Sequence, residues 1–99
     1  MVRLVVWSKN ADRKFDTLID YLSAEWGESV TKAFVKRTFD FLDLLVDFPE
    51  IGSIENANRQ IRGFVLTKHV TVFYKVKGNR VVILNFYNNR QNPNKKLYK

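Results

Sequence analysis

Two apolar helical stripes with almost no chain between them dominate the first half of this sequence. Ala11, Phe15, Leu18, Ile19, Leu22 and Trp26 recur at spacings of three and four, which is one face of a helix. Ser8 or Asn10 supplies the side-chain oxygen that caps its start, and Gly27 suits a left-handed cap at its end. A second stripe, from near Ser29, runs through Val30, Ala33, Phe34, Phe41, Leu44, Leu45 and Phe48 until Pro49 stops it. With so short a gap the helices must fold back on each other as an antiparallel hairpin.

The rest of the chain carries strand signals. Residues 2–7 are rich in Val and alternate loosely. Residues 49–59 hold Gly, Ser, Asn and two Glu and read as loop. Strands are expected over 60–66, 69–77 and 80–87, the last two joined by a tight turn at Gly78-Asn79. That turn sets Tyr74 opposite Ile83 and His69 opposite Asn88. One face of the ribbon is then Val70, Val72, Tyr74, Val76, Val81, Ile83, Asn85 and Tyr87, the better surface to pack under the helices. The other mixes cations with aromatics: His69, Thr71, Phe73, Lys75, Lys77, Arg80, Val82, Leu84 and Phe86. Lys77 opposite Arg80 is its weak point, a like-charge pair.

The expected fold is therefore α+β: an N-terminal strand, an antiparallel two-helix hairpin and three antiparallel strands, with the helices on one face of a small sheet. Residues 1–99 are expected to form a single domain, with a mobile tail over 95–99.

Composition narrows the chemistry. The chain has no Cys and one His, His69, so it has no disulfide framework and too few soft ligands for structural zinc. No stretch approaches the ~20 apolar residues of a membrane span, and the apolar run at the N-terminus is too short for a signal peptide, so no membrane is expected and the expected location is cytoplasmic. The net charge of +7 is unevenly spread. Residues 8–49 hold six basic and eight acidic residues (net −2), residues 50–99 ten basic and two acidic (net +8), and Arg3 adds one. A positive field confined to the second half points to a nucleic acid or an acidic protein segment as partner; solubility alone is the plainer alternative.

Several groups are candidates for a site. Asp12, Asp16 and Asp20 share one helix face and Asp40, Asp43 and Asp47 another, but regular spacing opposite an apolar stripe is what any solvated helix face shows. Neither a metal nor a cofactor is expected. His69 has the right ordinary pKa for a general base, yet no Ser/His/Asp arrangement accompanies it. Arg62 and Arg90 have forks that suit phosphate or carboxylate, or a structural bond at a strand end. Lys75, Lys77, Arg80, Lys95 and Lys96 strengthen any contact with phosphates, and Tyr87 or Tyr98 can stack on bases.

The residues then match a known layout. Asp20-Tyr21-Leu22-Ser23-Ala24-Glu25-Trp26-Gly27, Phe34, and Leu44-Leu45-Val46-Asp47-Phe48-Pro49-Glu50-Ile51-Gly52 resemble the helix hairpin of ParE-type toxins. Ile61-Arg62, Val72-Phe73-Tyr74-Lys75-Val76, Val81-Val82-Ile83-Leu84 and the ending Asn89-Arg90-Gln91-Asn92-Pro93 are similar to the strand half of the wider RelE/ParE superfamily. The likeness spans roughly residues 3–94.

That resemblance implies the toxin of a bacterial type II toxin–antitoxin pair. A cognate antitoxin wraps such a toxin, often in a hetero-oligomer, and usually represses the shared operon. RelE-like members cleave mRNA on the ribosome without metal; ParE-like members poison DNA gyrase without hydrolysis. Arg90 matches the arginine that holds the transition-state phosphate in RelE-like nucleases, and Tyr98 lies two positions beyond their tail tyrosine. A further nuclease arginine aligns near Leu66, whereas Arg62 matches an arginine of ParE-like members. The resemblance thus leans to gyrase. If the chain is a nuclease, Lys68, His69, Arg90 and Tyr98 are the catalytic candidates; the surface for nucleic acid or target is Arg62, Lys75, Lys77, Arg80, Arg90, Lys95 and Lys96. A non-toxic nucleic-acid-binding relative is the third reading.

Overall fold

A computed structural model describes residues 3–88. The elements run β1 (Leu4–Trp7), α1 (Lys9–Trp26), α2 (Glu28–Asp47), β2 (Ser53–Asn56), β3 (Ile61–Thr67), β4 (Val70–Lys77) and β5 (Arg80–Asn88). The strands form one sheet in the order β1-β5-β4-β3-β2. β1 runs parallel to β5 and the other pairings are antiparallel. Leu18, Phe34, Phe41, Leu45, Val72, Tyr74 and Ile83 share one buried cluster, so both helices pack on the same face of the sheet. This is the α+β arrangement expected, with one strand more. The tail expected to be mobile lies outside the described residues.

Gly27 is the hinge of the hairpin. Its N–H bonds to the carbonyls of Leu22 and Ser23 and closes α1, while its own carbonyl accepts from Thr31 and opens α2. One residue does both because its backbone sits at φ 87°, ψ −179°. That region is essentially restricted to glycine. The expected positive φ is present, but ψ is extended rather than left-handed helical, which sends the chain straight into α2.

Three β-bulges shape the sheet. Leu84 is skipped between the pairs Phe73↔Asn85 and Tyr74↔Ile83, Leu66 between Val65↔Thr71 and Thr67↔Val70, and Glu55 between Ile54↔Arg62 and Asn56↔Ile61. A bulged residue leaves its backbone groups out of the ladder. The helices take up two of them. Ser8 Oγ and Asn10 Nδ2 each donate to the Leu84 carbonyl at 3.1 Å, and Arg37 Nε donates to the Leu66 carbonyl at 3.0 Å. Ser8 Oγ also accepts from the Ala11 N–H at 3.0 Å, so one hydroxyl caps α1 and fastens it to β5.

The Leu84 bulge corrects the face assignment. Tyr74 does lie opposite Ile83, but beyond Leu84 the register slips by one and Val70, not His69, meets Asn88. Phe86 therefore turns into the main core, and Tyr87 joins Ile61 and Phe73 in a second cluster on the other face. Asn85, the partner of Phe73, moves to that face as well. A one-residue slip sends every later side chain to the opposite face. Phe86 then completes an aromatic group with Trp7 and Phe15, with ring centroids 5.1 Å apart in each pair.

β2 lies in the stretch read as loop. Its four residues, Ser53-Ile54-Glu55-Asn56, show no clear apolar alternation, and β3 supplies the pairing that makes them a strand. No helix among the described residues is long and apolar enough to cross a membrane.

Ser8→Ala removes both bonds of the hydroxyl. The variant is expected to lose about 1–2 kcal/mol of stability in chemical denaturation, the usual cost of an N-cap together with a part-buried bond. A loss under a few tenths of a kcal/mol would show that Asn10 alone holds the Leu84 carbonyl.

Candidate functional site

The predicted site residues fall at opposite ends of the sheet. Lys68 and His69 form the exposed β3–β4 turn, where the His69 N–H is 3.4 Å from Thr67 Oγ1. Lys75 is half-buried, and Lys77 and Arg80 flank the β4–β5 turn. Lys77 does lie opposite Arg80, and both are exposed, where water screens the repulsion. At the rise of a strand, His69 and Lys77 are on the order of 25 Å apart. Arg90, Lys95, Lys96 and Tyr98 lie outside the described residues.

Arg62 stands apart from both groups. Its Nη1 donates to the Gly52 carbonyl at 2.8 Å and lies 3.4 Å from that of Glu50. It thereby holds the loop that leads out of α2. Tyr74 completes the clasp: its hydroxyl donates to the Pro49 carbonyl and accepts from the Gly52 N–H, both at 2.8 Å. A Cβ on Gly52 would stand 2.8 Å from the Gly63 carbonyl and from the Tyr74 hydroxyl, so only glycine fits there. Burial pushes the Tyr74 hydroxyl above its ordinary 10.0, against the opposing influence of the Gly52 N–H and the Arg62 charge.

The helical carboxylates Asp12, Asp16, Asp20, Asp40, Asp43 and Asp47 are exposed. Asp40 pairs with Lys36 at 2.9 Å. Among the described residues no three His, Cys, Asp or Glu side chains come together.

One concavity was not foreseen. A groove of about 550 Å³ opens between the hairpin and the ends of β3, β4 and β5. Leu18 and Leu22 of α1, Ala33 and Phe34 of α2 and Val70 of β4 make its apolar walls, and Tyr21, Trp26 and Val30 stand exposed at its lip. Its polar groups are Arg37, Thr67, His69 and Asn88. Arg37 is a candidate that sequence reasoning missed. Its Nε is tied to Leu66, and its Nη nitrogens make no bond among the described residues. A guanidinium held by one nitrogen beside an apolar groove is preset to meet a carboxylate. The available signal was slight: Arg37 follows Phe34 by three residues and so borders the buried stripe rather than lying opposite it.

The groove thus suits an amphipathic, acid-bearing partner. The described cations suit anions.

Comparison with known proteins fits this geometry. A family profile described as the ParE toxin of the type II toxin–antitoxin system parDE matches residues 5–93. No curated protein matches the chain by sequence. Among solved structures, a chromosomal ParDE system from P. aeruginosa is similar at a TM-score of 0.64 with 15% identity, over 88% of this chain and 96% of that one. A YoeB/ParE toxin from Agrobacterium tumefaciens is similar at 0.61 with 12% identity, over 86% and 97%. A copper-bound mutant toxin from Helicobacter pylori is similar at 0.58 with 16% identity, over 93% and 99%.

Tyr74→Phe leaves the Gly52 N–H and the Pro49 carbonyl buried without their partner, at a cost of roughly 1–3 kcal/mol. The raised pKa sets how that difference changes with pH. The folded state holds the phenol proton more tightly than the unfolded state, so the contribution of the hydroxyl is complete below pH 10 and is lost as pH rises above it. Denaturation of both proteins at pH 8 and at pH 11 is expected to show the gap narrowing at the higher pH; a widening gap would contradict this assignment.

Proposed function

This chain belongs to the ParE toxin family of type II toxin–antitoxin systems, and from that premise we propose that it arrests growth by inhibiting DNA gyrase until a cognate antitoxin neutralises it. One observation supports gyrase over RNA cleavage. Cleavage at a 2′-hydroxyl needs a base, an acid and positive charge converging on one phosphate, and a buried leucine, Leu66, stands near the position where the nuclease pattern has an arginine.

The antitoxin reading draws on the groove. Exposed Trp26, Tyr21 and Val30 around apolar walls leave a surface that a partner stabilises by covering it. Arg37 and His69 select for acidic residues in that partner. A toxin–antitoxin hetero-oligomer in the cytoplasm follows from this reading, with neither metal nor cofactor required.

Induced expression of the chain tests the proposal. Growth arrest is expected with loss of plasmid supercoiling, inhibition of purified gyrase and intact transcripts. Arg90→Ala distinguishes the alternatives further. Cut transcripts that disappear in this variant would establish the nuclease instead, and unimpaired growth of cells making the folded protein would remove toxicity altogether.

A further inference from the structure

The chain leaves α2 through a turn that is pinned on its inner side. The Tyr74 hydroxyl holds the Pro49 carbonyl and the Gly52 N–H, and Arg62 holds the Gly52 carbonyl, each at 2.8 Å. Gly52 is itself buried, with no room for a side chain. Connecting segments are usually the more mobile parts of a fold. This one is fixed by three bonds within four residues.

Its outer side is apolar. Phe48 is 61% exposed and Ile51 41% exposed, and the Ile51 N–H bonds to the Phe48 carbonyl at 3.1 Å, so both sit on one turn. Residues 47–51 line a hollow of about 500 Å³. Leu44, 43% exposed, lies one helical turn before Phe48. Ile54, 60% exposed, faces the same side of the sheet: it pairs with Arg62, and Arg62 with Tyr74, which belongs to the core under the helices. Single exposed apolar residues are ordinary, but several on one side mark a contact surface.

The rim of this surface is acidic, in a chain whose net charge is +7. Residues 38–58 contain Asp40, Asp43, Asp47, Glu50 and Glu55 and no Lys or Arg. Asp43, Asp47 and Glu50 are exposed and make no ion pair among the described residues. Two cations enter the region, Arg3 and Arg62; both are half-buried and donate to the Val46 and Gly52 carbonyls. Such a rim repels a nucleic acid, which would also leave the apolar side chains uncovered. It repels the acid-bearing partner that suits the groove. A second copy joined through the same surface sets like charges against each other. The occupant that answers both features is a protein with Lys or Arg around an apolar pocket.

We infer that the turn from Phe48 to Ile51 is the surface by which the toxin grips its target enzyme, with both side chains seated in an apolar pocket rimmed by Lys or Arg. Enzymes that handle DNA carry basic surfaces along its path. For the identity of that enzyme the inference rests on the proposed function. The clasp matters because a turn already held in one shape loses little freedom on binding. An aromatic anchor surrounded by charge is where binding energy concentrates. The toxin then presents two surfaces of opposite character: Arg37 and His69 beside the groove for its neutralising partner, and carboxylates beside Phe48 for its target.

The test uses the full chain and purified gyrase holoenzyme. Phe48→Ser combined with Ile51→Ser is expected to weaken gyrase binding about tenfold or more, with the unfolding midpoint of the toxin unchanged. Asp47→Lys combined with Glu50→Lys is expected to weaken it at low salt, and the difference from wild type is expected to shrink as salt is raised. Equal or tighter binding by either double variant would overturn the inference. So would a wild-type dimer in sedimentation that the apolar variant splits, since a second copy then occupies the surface. Movement of the amide resonances of residues 48–51 on changing Lys95→Glu and Lys96→Glu would assign the surface to the chain's own end instead. Growth arrest separates this inference from the proposed function. If the wild type arrests growth without binding gyrase, the gyrase reading fails, and the inference stands if the apolar variant relieves the arrest and falls if it does not. A wild type that neither binds gyrase nor arrests growth removes both.

Discussion

A backbone carbonyl left out of a β-ladder must find another donor, and this requirement ties the helices to the sheet. The bulges at Leu84 and Leu66 each free one carbonyl on the side where a helix lies. Ser8 and Asn10 at the start of α1 take the first, and Arg37 in the middle of α2 takes the second. Apolar packing between a helix and a sheet is permissive about sliding, because it depends on area rather than direction. Hydrogen bonds to fixed carbonyls are not. They set where each helix lies, and the aromatic group of Trp7, Phe15 and Phe86 fills the space so defined.

The same bonds create the surfaces open to partners. The bond from its Nε to the Leu66 carbonyl holds Arg37 beside the groove. The slip at Leu84 carries Asn88 opposite Val70, and both line the groove floor. At the far end of α2, the clasp of Arg62, Tyr74 and Gly52 holds the exit loop against β3 and β4.

Charge is divided between the layers. The carboxylates lie on the solvated faces of the helices and in the segment up to Glu55, while residues 56–99 contain none. Arg62 shows that a cation in the basic half need not serve the surface, since its nearest fork nitrogen is spent on the backbone of the exit loop. The described cations of that half that remain exposed, Arg59, Lys68, Lys77 and Arg80, sit in or beside the turns at the two ends of the strands. Such a spread supports a wide positive field more readily than one concentrated catalytic point.

What was legible in the sequence is what depends on local periodicity. The apolar stripes, Gly27, Pro49 and the Gly78-Asn79 turn give the hairpin and three of the four strands that follow it, because spacing and turn chemistry act within a few residues. β1 was legible for the same reason. The strand β2 was not, since Ser53-Ile54-Glu55-Asn56 pairs only because β3 lies beside it. The face assignment held up to Leu84 and failed from Asn85 onward, since nothing in Val82-Ile83-Leu84-Asn85 announces a bulge; it arises where the sheet meets Ser8 and Asn10, which are more than seventy residues away in the chain. The candidate cations were legible as charges but not as positions. Only the tertiary structure separated Lys68 and His69 from Lys77 and Arg80, turned Arg62 inward and set Arg37 beside an apolar groove, because those outcomes depend on which distant carbonyl each side chain meets.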